Sequence, residues 1–287
     1  QLSGAGTLGA AGGTTTVSGG TLDLGGSTQT QAAVNLSGGT IRNGSLNAAI
    51  TATGGILNGV GGTASLTTTA GTTTLLGVSS YTGATTVNGG VLDVEGSITG
   101  TSAVTVNAGG TLAGTGVVDP ITTTIASGGT LAPGNGTPGT SLTIDGNLAF
   151  QSGAIYLVQV NPFIASFTNV TGAATLGAAT VNAVFANGSY ISKTYTILTA
   201  TGGVSGNFAS NVVNTNLPAN FSTSLSYDAN NAYLDLSLNY VPTALNFGSG
   251  LSGNQQAVAN ALINSFNANG GIPLVYGALN PAGLTQA

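Results

Sequence analysis

The sequence predicts an all-β solenoid, a chain wound into stacked coils, followed by an aromatic-rich β region and then one short helix. Three observations predict it. Glycine-led markers recur roughly every 18 to 19 residues through the first half, a spacing that suits coils of two or three short strands. Apolar and polar residues alternate between the markers, and no proline precedes Pro120.

The markers are Gly19-Gly20-Thr21-Leu22, Gly38-Gly39-Thr40-Ile41, Gly54-Gly55-Ile56-Leu57, Gly89-Gly90-Val91-Leu92, Gly109-Gly110-Thr111-Leu112 and Gly128-Gly129-Thr130-Leu131, at intervals of 19, 16, 35, 20 and 19. The long interval reads as two coils, with Ala70-Gly71-Thr72-Thr73 as the weaker marker between them. In a strand, residues two apart share a face. Leu22 and Leu24 therefore point into the coil, and Thr21 and Asp23 point to water. Val91-Leu92-Asp93-Val94-Glu95 repeats the pattern, so leucine and valine are expected inside and threonine and carboxylate outside. The glycines serve corners, where the backbone needs positive φ or close approach to the next coil. The absence of proline suits a ladder in which nearly every N–H bonds a neighbouring coil. Roughly seven coils of about 4.8 Å each give a rod on the order of 30 Å, whose last coil exposes an open ladder and core and requires a cap.

The second half supplies the expected cap. Tyr81 is the only aromatic residue before Phe150, after which the rings become frequent. Strand candidates there are Asn147–Phe150, Ala154–Val160, Thr180–Phe185, Thr194–Leu198, Phe221–Tyr227 and Ala232–Leu238, with Asp228-Ala229-Asn230-Asn231 turning a hairpin between the last two. Beyond Pro242, Ser252-Gly253-Asn254-Gln255 forms a capping box ahead of a helix, and Val258, Leu262 and Phe266, with Ala257 and Ala261, form its apolar stripe. Asn269-Gly270-Gly271 and Pro273 end it. The helix docks either on the chain's own core or on something C-terminal to it. The division is 1–139 coils, 140–247 cap, and 248–287 linker and helix.

Composition narrows the chemistry. The chain has two basic residues, Arg42 and Lys193, seven acidic ones, and no His, Cys, Met or Trp. That leaves no Ser-His-Asp or Cys-His nucleophile, no zinc site with His or Cys ligands and no iron–sulfur cluster. Nucleic acid is excluded as a partner, since phosphate binding needs clustered cations. With 41% hydrophobic residues the chain is expected to fold, and no apolar run is long enough for a membrane-spanning helix. The start, without Met or a basic leader, reads as part of a longer chain. No catalytic, cofactor or metal site is assigned.

Several motifs invite a functional reading. Gly4-Ala5-Gly6-Thr7-Leu8-Gly9 matches a dinucleotide fingerprint in letters but has no strand before it and no helix after it. Asp93 and Glu95 share one strand face and are the only carboxylates close in sequence, a spacing that could serve glycoside cleavage. The expected alternative is an outward, solvated edge, with Asp23 at the matching place of an earlier coil. Ser192-Lys193 are strand neighbours and point to opposite faces. Asn43-Gly44-Ser45 and Asn187-Gly188-Ser189 are glycosylation triplets in letters.

Residues 74–92, with Tyr81-Thr82-Gly83-Ala84-Thr85-Thr86-Val87-Asn88-Gly89-Gly90-Val91-Leu92, resemble the passenger-associated repeat of bacterial autotransporters. Leu131-Ala132-Pro133-Gly134 and the segment from Gly139 to Leu148 are similar to the opening of the autochaperone region, which Tyr156-Leu157-Val158-Gln159-Val160 continues. Gln255-Gln256-Ala257-Val258-Ala259-Asn260-Ala261-Leu262 is similar to the segment before the membrane barrel. The resemblance implies a right-handed parallel β-helix passenger, an autochaperone-like cap over 140–247, and a partner β-barrel that these residues do not include. It implies display on the outer membrane of a Gram-negative bacterium, support of adhesion to host or surface glycans or proteins, and a cap that folds first. The alternatives are a β-helix polysaccharide-active enzyme and a soluble secreted solenoid.

Overall fold

The structure, a computed structural model, describes residues 2, 6–238 and 250–269. The chain is a parallel β-helix with three faces. The first face stacks Thr14–Val17, residues 33–36 and 49–52, Ser65–Thr68, Thr85–Val87, Val104–Val106, Thr122–Ile125, Asn147–Phe150, Ala174–Thr175 and Val204–Ser205. The second runs from Thr21–Asp23 through residues 40–42 and 55–58, Thr72–Leu76, Gly90–Val94, Gly110–Gly114, Thr130–Pro133, Ile155–Val160 and Thr180–Phe185 to Val213–Thr215. The third includes Val78–Ser79, Ser97–Ile98, Val117–Val118, Ser141–Ile144, Phe167–Val170 and Lys193–Ala200.

Register makes the columns. On the second face Leu92 pairs Leu112, Leu112 pairs Leu131, and Leu131 pairs Tyr156, which pairs Val181, all fully buried. Each such side chain taken from water contributes about 1.5–3 kcal/mol before entropy is charged against it. The marker glycines sit at the corner between the first and second faces. Gly90 shows why: its φ is +68°, and a Cβ there would lie 2.3 Å from the Gly71 carbonyl oxygen. That contact also places Gly71 at the same corner one coil earlier, so Ala70-Gly71-Thr72-Thr73 is the marker that divides the long interval, and Val91 pairs Thr72.

Two expectations change. The parallel register does not end at residue 139. Among the described residues the second face counts ten stacked strands, and what alters after Pro133 is coil length. Val106 to Ile125 spans one coil of 19 residues, whereas Leu148 pairs Ala174 and Ala174 pairs Val204 at steps of 26 and 30. The extra residues form turns outside the ladder. Threonine, moreover, is not confined to the outside. Thr67, Thr86, Thr105 and Thr124 stack outward as expected, but Thr68, Thr73, Thr85 and Thr123 lie in the interior, where a hydroxyl of valine-like shape fits an apolar column.

The last strands close the third face. Phe221–Tyr227 and Asn231–Leu238 form the expected hairpin, and Asn231–Leu238 pairs antiparallel with Lys193–Ala200. Asp228 holds the turn by accepting the N–H groups of Asn230 and Asn231 at 2.8 and 2.7 Å. The helix spans Gly253–Asn269, and its capping box forms: Ser252 N–H donates to Gln255 Oε1 at 2.8 Å and Gln255 N–H to Ser252 Oγ at 3.4 Å. The stripe needs correcting. Ala257 and Ala261 are exposed, while Ala259 is buried beside half-buried Val258, Leu262 and Ile263. The side chain of Phe266 and the stop at Gly270 to Pro273 lie outside the described residues.

Candidate binding groove and the predicted site residues

Outward residues of the second face follow the same register as the core. Thr74, Asp93, Ala113 and Ala132 form one column, and Thr72, Val91, Thr111 and Thr130 its neighbour. Alanine at two successive coils recesses the surface between Val91 and Leu157. After Pro133 the chain leaves the coil and forms a wall. Gly134 exchanges N–H···O bonds with Gly114 at 2.8 and 3.0 Å, and Thr140 Oγ1 donates to the Thr137 carbonyl at 2.6 Å. The result is a groove of 320 Å³ lined by Val91, Asp93, Thr111, Ala113, Leu157 and Gln159 among others.

Asp93 is half-buried in this groove and Glu95 is exposed at its edge. Burial first, and then the negative charge and hydrogen bond of Glu95, hold the Asp93 carboxyl above the usual carboxylate range. Glu95 also accepts the Thr115 hydroxyl at 2.6 Å. The expected solvated edge thus holds for Glu95, while Asp93 is partly withdrawn from water. Two carboxyls in hydrogen-bonding reach are closer than the separation of about 5 Å or more that straddling a glycosidic bond takes. Their arrangement is suited to accepting a donor from a ligand.

The other predicted residues are engaged structurally. Asp23 keeps its outward direction but is covered: it accepts Gly25 N–H at 2.9 Å and Asn43 Nδ2 at 3.1 Å, and pairs with Arg42 at 3.0 Å. The Gly25 bond, then the Asn43 and Arg42 contacts, hold its carboxyl below the usual range. Asn43 of the first glycosylation triplet is thereby occupied, whereas Asn187 is exposed. In the glycine-rich motif, Gly6 and Leu8 are tied through their backbones to buried Gln29, at 3.1 and 2.9 Å; Gly4 and Ala5 lie outside the described residues. Ser192 Oγ accepts Leu238 N–H at 3.0 Å, and Lys193 Nζ donates to the Phe163 carbonyl at 2.6 Å, so the two side chains serve different neighbours.

Sequence reading missed the buried hydroxyl groups. Tyr81 bonds Thr85 at 2.8 Å, Thr85 bonds Thr101 at 3.0 Å, and Thr101 donates to the Gly83 carbonyl at 2.8 Å, a string inside the coil. Tyr156 bonds Thr168 Oγ1 at 2.9 Å and donates to the Ile197 carbonyl, while its ring stacks on Phe208 with centroids 5.4 Å apart. For Tyr156, a tyrosine following Leu92, Leu112 and Leu131 in one column was the available signal. The turn that presents Phe163, 79% exposed, was also missed; Asn161-Pro162 marks it. No family model and no curated protein matches this chain.

Proposed function

We propose that the chain is the shaft and folding cap of an outer-membrane autotransporter passenger, a non-enzymatic stalk that a C-terminal β-barrel of the same protein displays at the cell surface in support of adhesion. The observation that carries this reading is a continuous three-faced parallel column whose third face ends in an antiparallel hairpin. Such a column folds by neighbour-to-neighbour contacts, so it can be completed coil by coil as a chain emerges. Absence of cysteine keeps that chain free of disulfides during passage. The closeness of Asp93 to Glu95, too tight to straddle a glycosidic bond, favours binding over glycan cleavage.

The test places an epitope at the exposed turn 186–189 of the full-length parent protein. Antibody labelling of intact cells, with the signal lost on deleting the sequence after residue 287, is the expected result. Labelling only after lysis would refute the display, and undiminished export without the downstream sequence would favour a freely secreted solenoid.

A further inference from the structure

We propose that the turn at Phe163 and the side chain of Lys193 form a binding site for a sugar bearing a single carboxylate, of the uronic or sialic acid type. The site deepens the adhesive part of the reading above and rests on it only for its biological setting.

Phe163 stands at the tip of a turn between Ile155–Val160 and Phe167–Val170 and is 79% exposed. The turn is fixed. Asn161 Oδ1 accepts the N–H groups of Phe163 and Ile164 at 2.8 and 2.9 Å, Asn161 N–H donates to the Ile164 carbonyl at 2.9 Å, and Val160 bridges Ala165. Lys193 Nζ donates to the carbonyl of Phe163 itself at 2.6 Å and lies 5.6 Å from the Tyr195 ring centre. A large apolar ring held in water by this many bonds is pre-organised for contact, and rigidity lowers the entropy lost on binding.

Charge selects the ligand. Among the described residues the single ion pair is Arg42–Asp23, so Lys193 has no carboxylate partner; the near carboxylate, Asp235, accepts the Thr194 hydroxyl at 2.6 Å. One of the three ammonium donors is used, leaving a cation over the Tyr195 ring in a pocket also lined by Thr194, Thr196 and Thr199; the hydroxyls of Thr194 and Thr199 donate to Asp235 and Asn169 and retain the capacity to accept. The open pocket has a volume of 240 Å³, below the range of about 300–1,000 Å³ for drug-sized ligands and of the order of one sugar ring. A ring face of C–H groups stacks on Phe163, a carboxylate meets Lys193, and hydroxyls meet the threonines. The net charge of −5 repels a polyanion, so the site favours an isolated acid group over a dense run of them.

The test measures calorimetric binding to the isolated chain of sialyllactose against lactose, and of methyl glucuronide against methyl glucoside. One acidic sugar of the two pairs is expected to bind at least about tenfold more tightly than its neutral counterpart, and which one binds distinguishes the two sources of the carboxylate. Lys193→Gln and Phe163→Ala should each lower that affinity at least about tenfold with the circular dichroism unchanged, and Lys193→Arg should restore it. Phe163→Ala leaves the carbonyl that anchors Lys193, which separates loss of the ring from loss of the turn. Equal binding of acidic and neutral sugars, no binding of either acid, tighter binding of heparin, or full affinity in Lys193→Gln would each overturn the proposal.

Discussion

Replacing Tyr156 by phenylalanine isolates the bond that ties the second face to the third. The hydroxyl crosses the interior from Ile155–Val160 to reach Thr168 Oγ1 at 2.9 Å and the Ile197 carbonyl one coil later. Phenylalanine preserves the ring contacts, edge-on to Phe150 at 5.5 Å and stacked on Phe208, so no cavity of consequence opens. It leaves a carbonyl and the fully buried Thr168 without their partner. Two net hydrogen bonds at about 1 kcal/mol each, plus part of the desolvation cost of the orphaned groups, give a loss of about 2–3 kcal/mol. Tyr81→Phe is the internal control: Thr85 keeps its bond to Thr101, so the loss is about 1 kcal/mol. Burial pushes both phenols well above their ordinary pKa, so neither ionises and the difference is independent of pH through the neutral range. Urea unfolding measures the totals, and amide exchange locates them, with Tyr156→Phe accelerating exchange around residues 193–200 while leaving 104–125 protected. A Tyr156→Phe protein within about 0.5 kcal/mol of the parent, or a Tyr81→Phe loss as large, would refute the assignment.

Gly90→Ala forces a Cβ to within 2.3 Å of the Gly71 carbonyl oxygen at positive φ and should cost about 3 kcal/mol, whereas Gly109→Ala, at φ +81° but with open space around it, should cost about 1, both read by urea denaturation. Thr123→Val, in a column with Val104 and Leu148, removes a fully buried hydroxyl that lacks a partner, and should raise stability by about 1 kcal/mol in the same assay. The Tyr233 hydroxyl, then Asn231 and the Asn230 N–H, hold Asp228 at about 2; a depressed carboxylate stabilises the fold above its unfolded pKa and loses that effect as pH falls from about 4 to 2. Thermal melts of Asp228→Asn should therefore lose part of the acid-side slope. Asp93 carries the opposite sign: its raised pKa means that ionisation opposes folding, so Asp93→Asn should be stabilising at neutral pH and neutral in effect at pH 3.

The shaft was legible because its rule is local. One coil dictates the next, so a marker as degraded as Ala70-Gly71-Thr72-Thr73 could be placed from spacing alone, and the strands Asn147–Phe150, Thr180–Phe185 and Phe221–Tyr227 have the bounds that their alternation predicts. What sequence could not show was continuity beyond residue 139. Long turns such as 134–140 and 161–165 break the period without breaking the ladder, and a period count reads an insertion as an ending. Inward threonines were hidden for a different reason: Thr and Val have one shape in the column, and only the neighbouring coil decides whether the hydroxyl faces water. The groove was half legible. Asp93 and Glu95 were visible as a pair, but the groove that holds Asp93 is completed by the wall beyond Pro133 and by Leu157, two and three coils away in the stack.

The end of the third face shows how those hidden features depend on one another. Lys193–Ala200 is parallel to Phe167–Val170 on one side and antiparallel to Asn231–Leu238 on the other, and the antiparallel register slips between Thr196 and Leu198. A bulge leaves one residue outside the ladder. Here it is Ile197, and the slip turns both Ile197 and Leu198 into the core, fully buried at consecutive positions. The carbonyl of Ile197 then lies in an apolar interior, where an unmet acceptor is costly. Tyr156 supplies the donor. The change of strand direction that terminates the column therefore requires a hydroxyl reaching from the facing sheet, which explains why a tyrosine replaces leucine in the Leu92–Leu112–Leu131 column at the coil where its oxygen can reach the bulge.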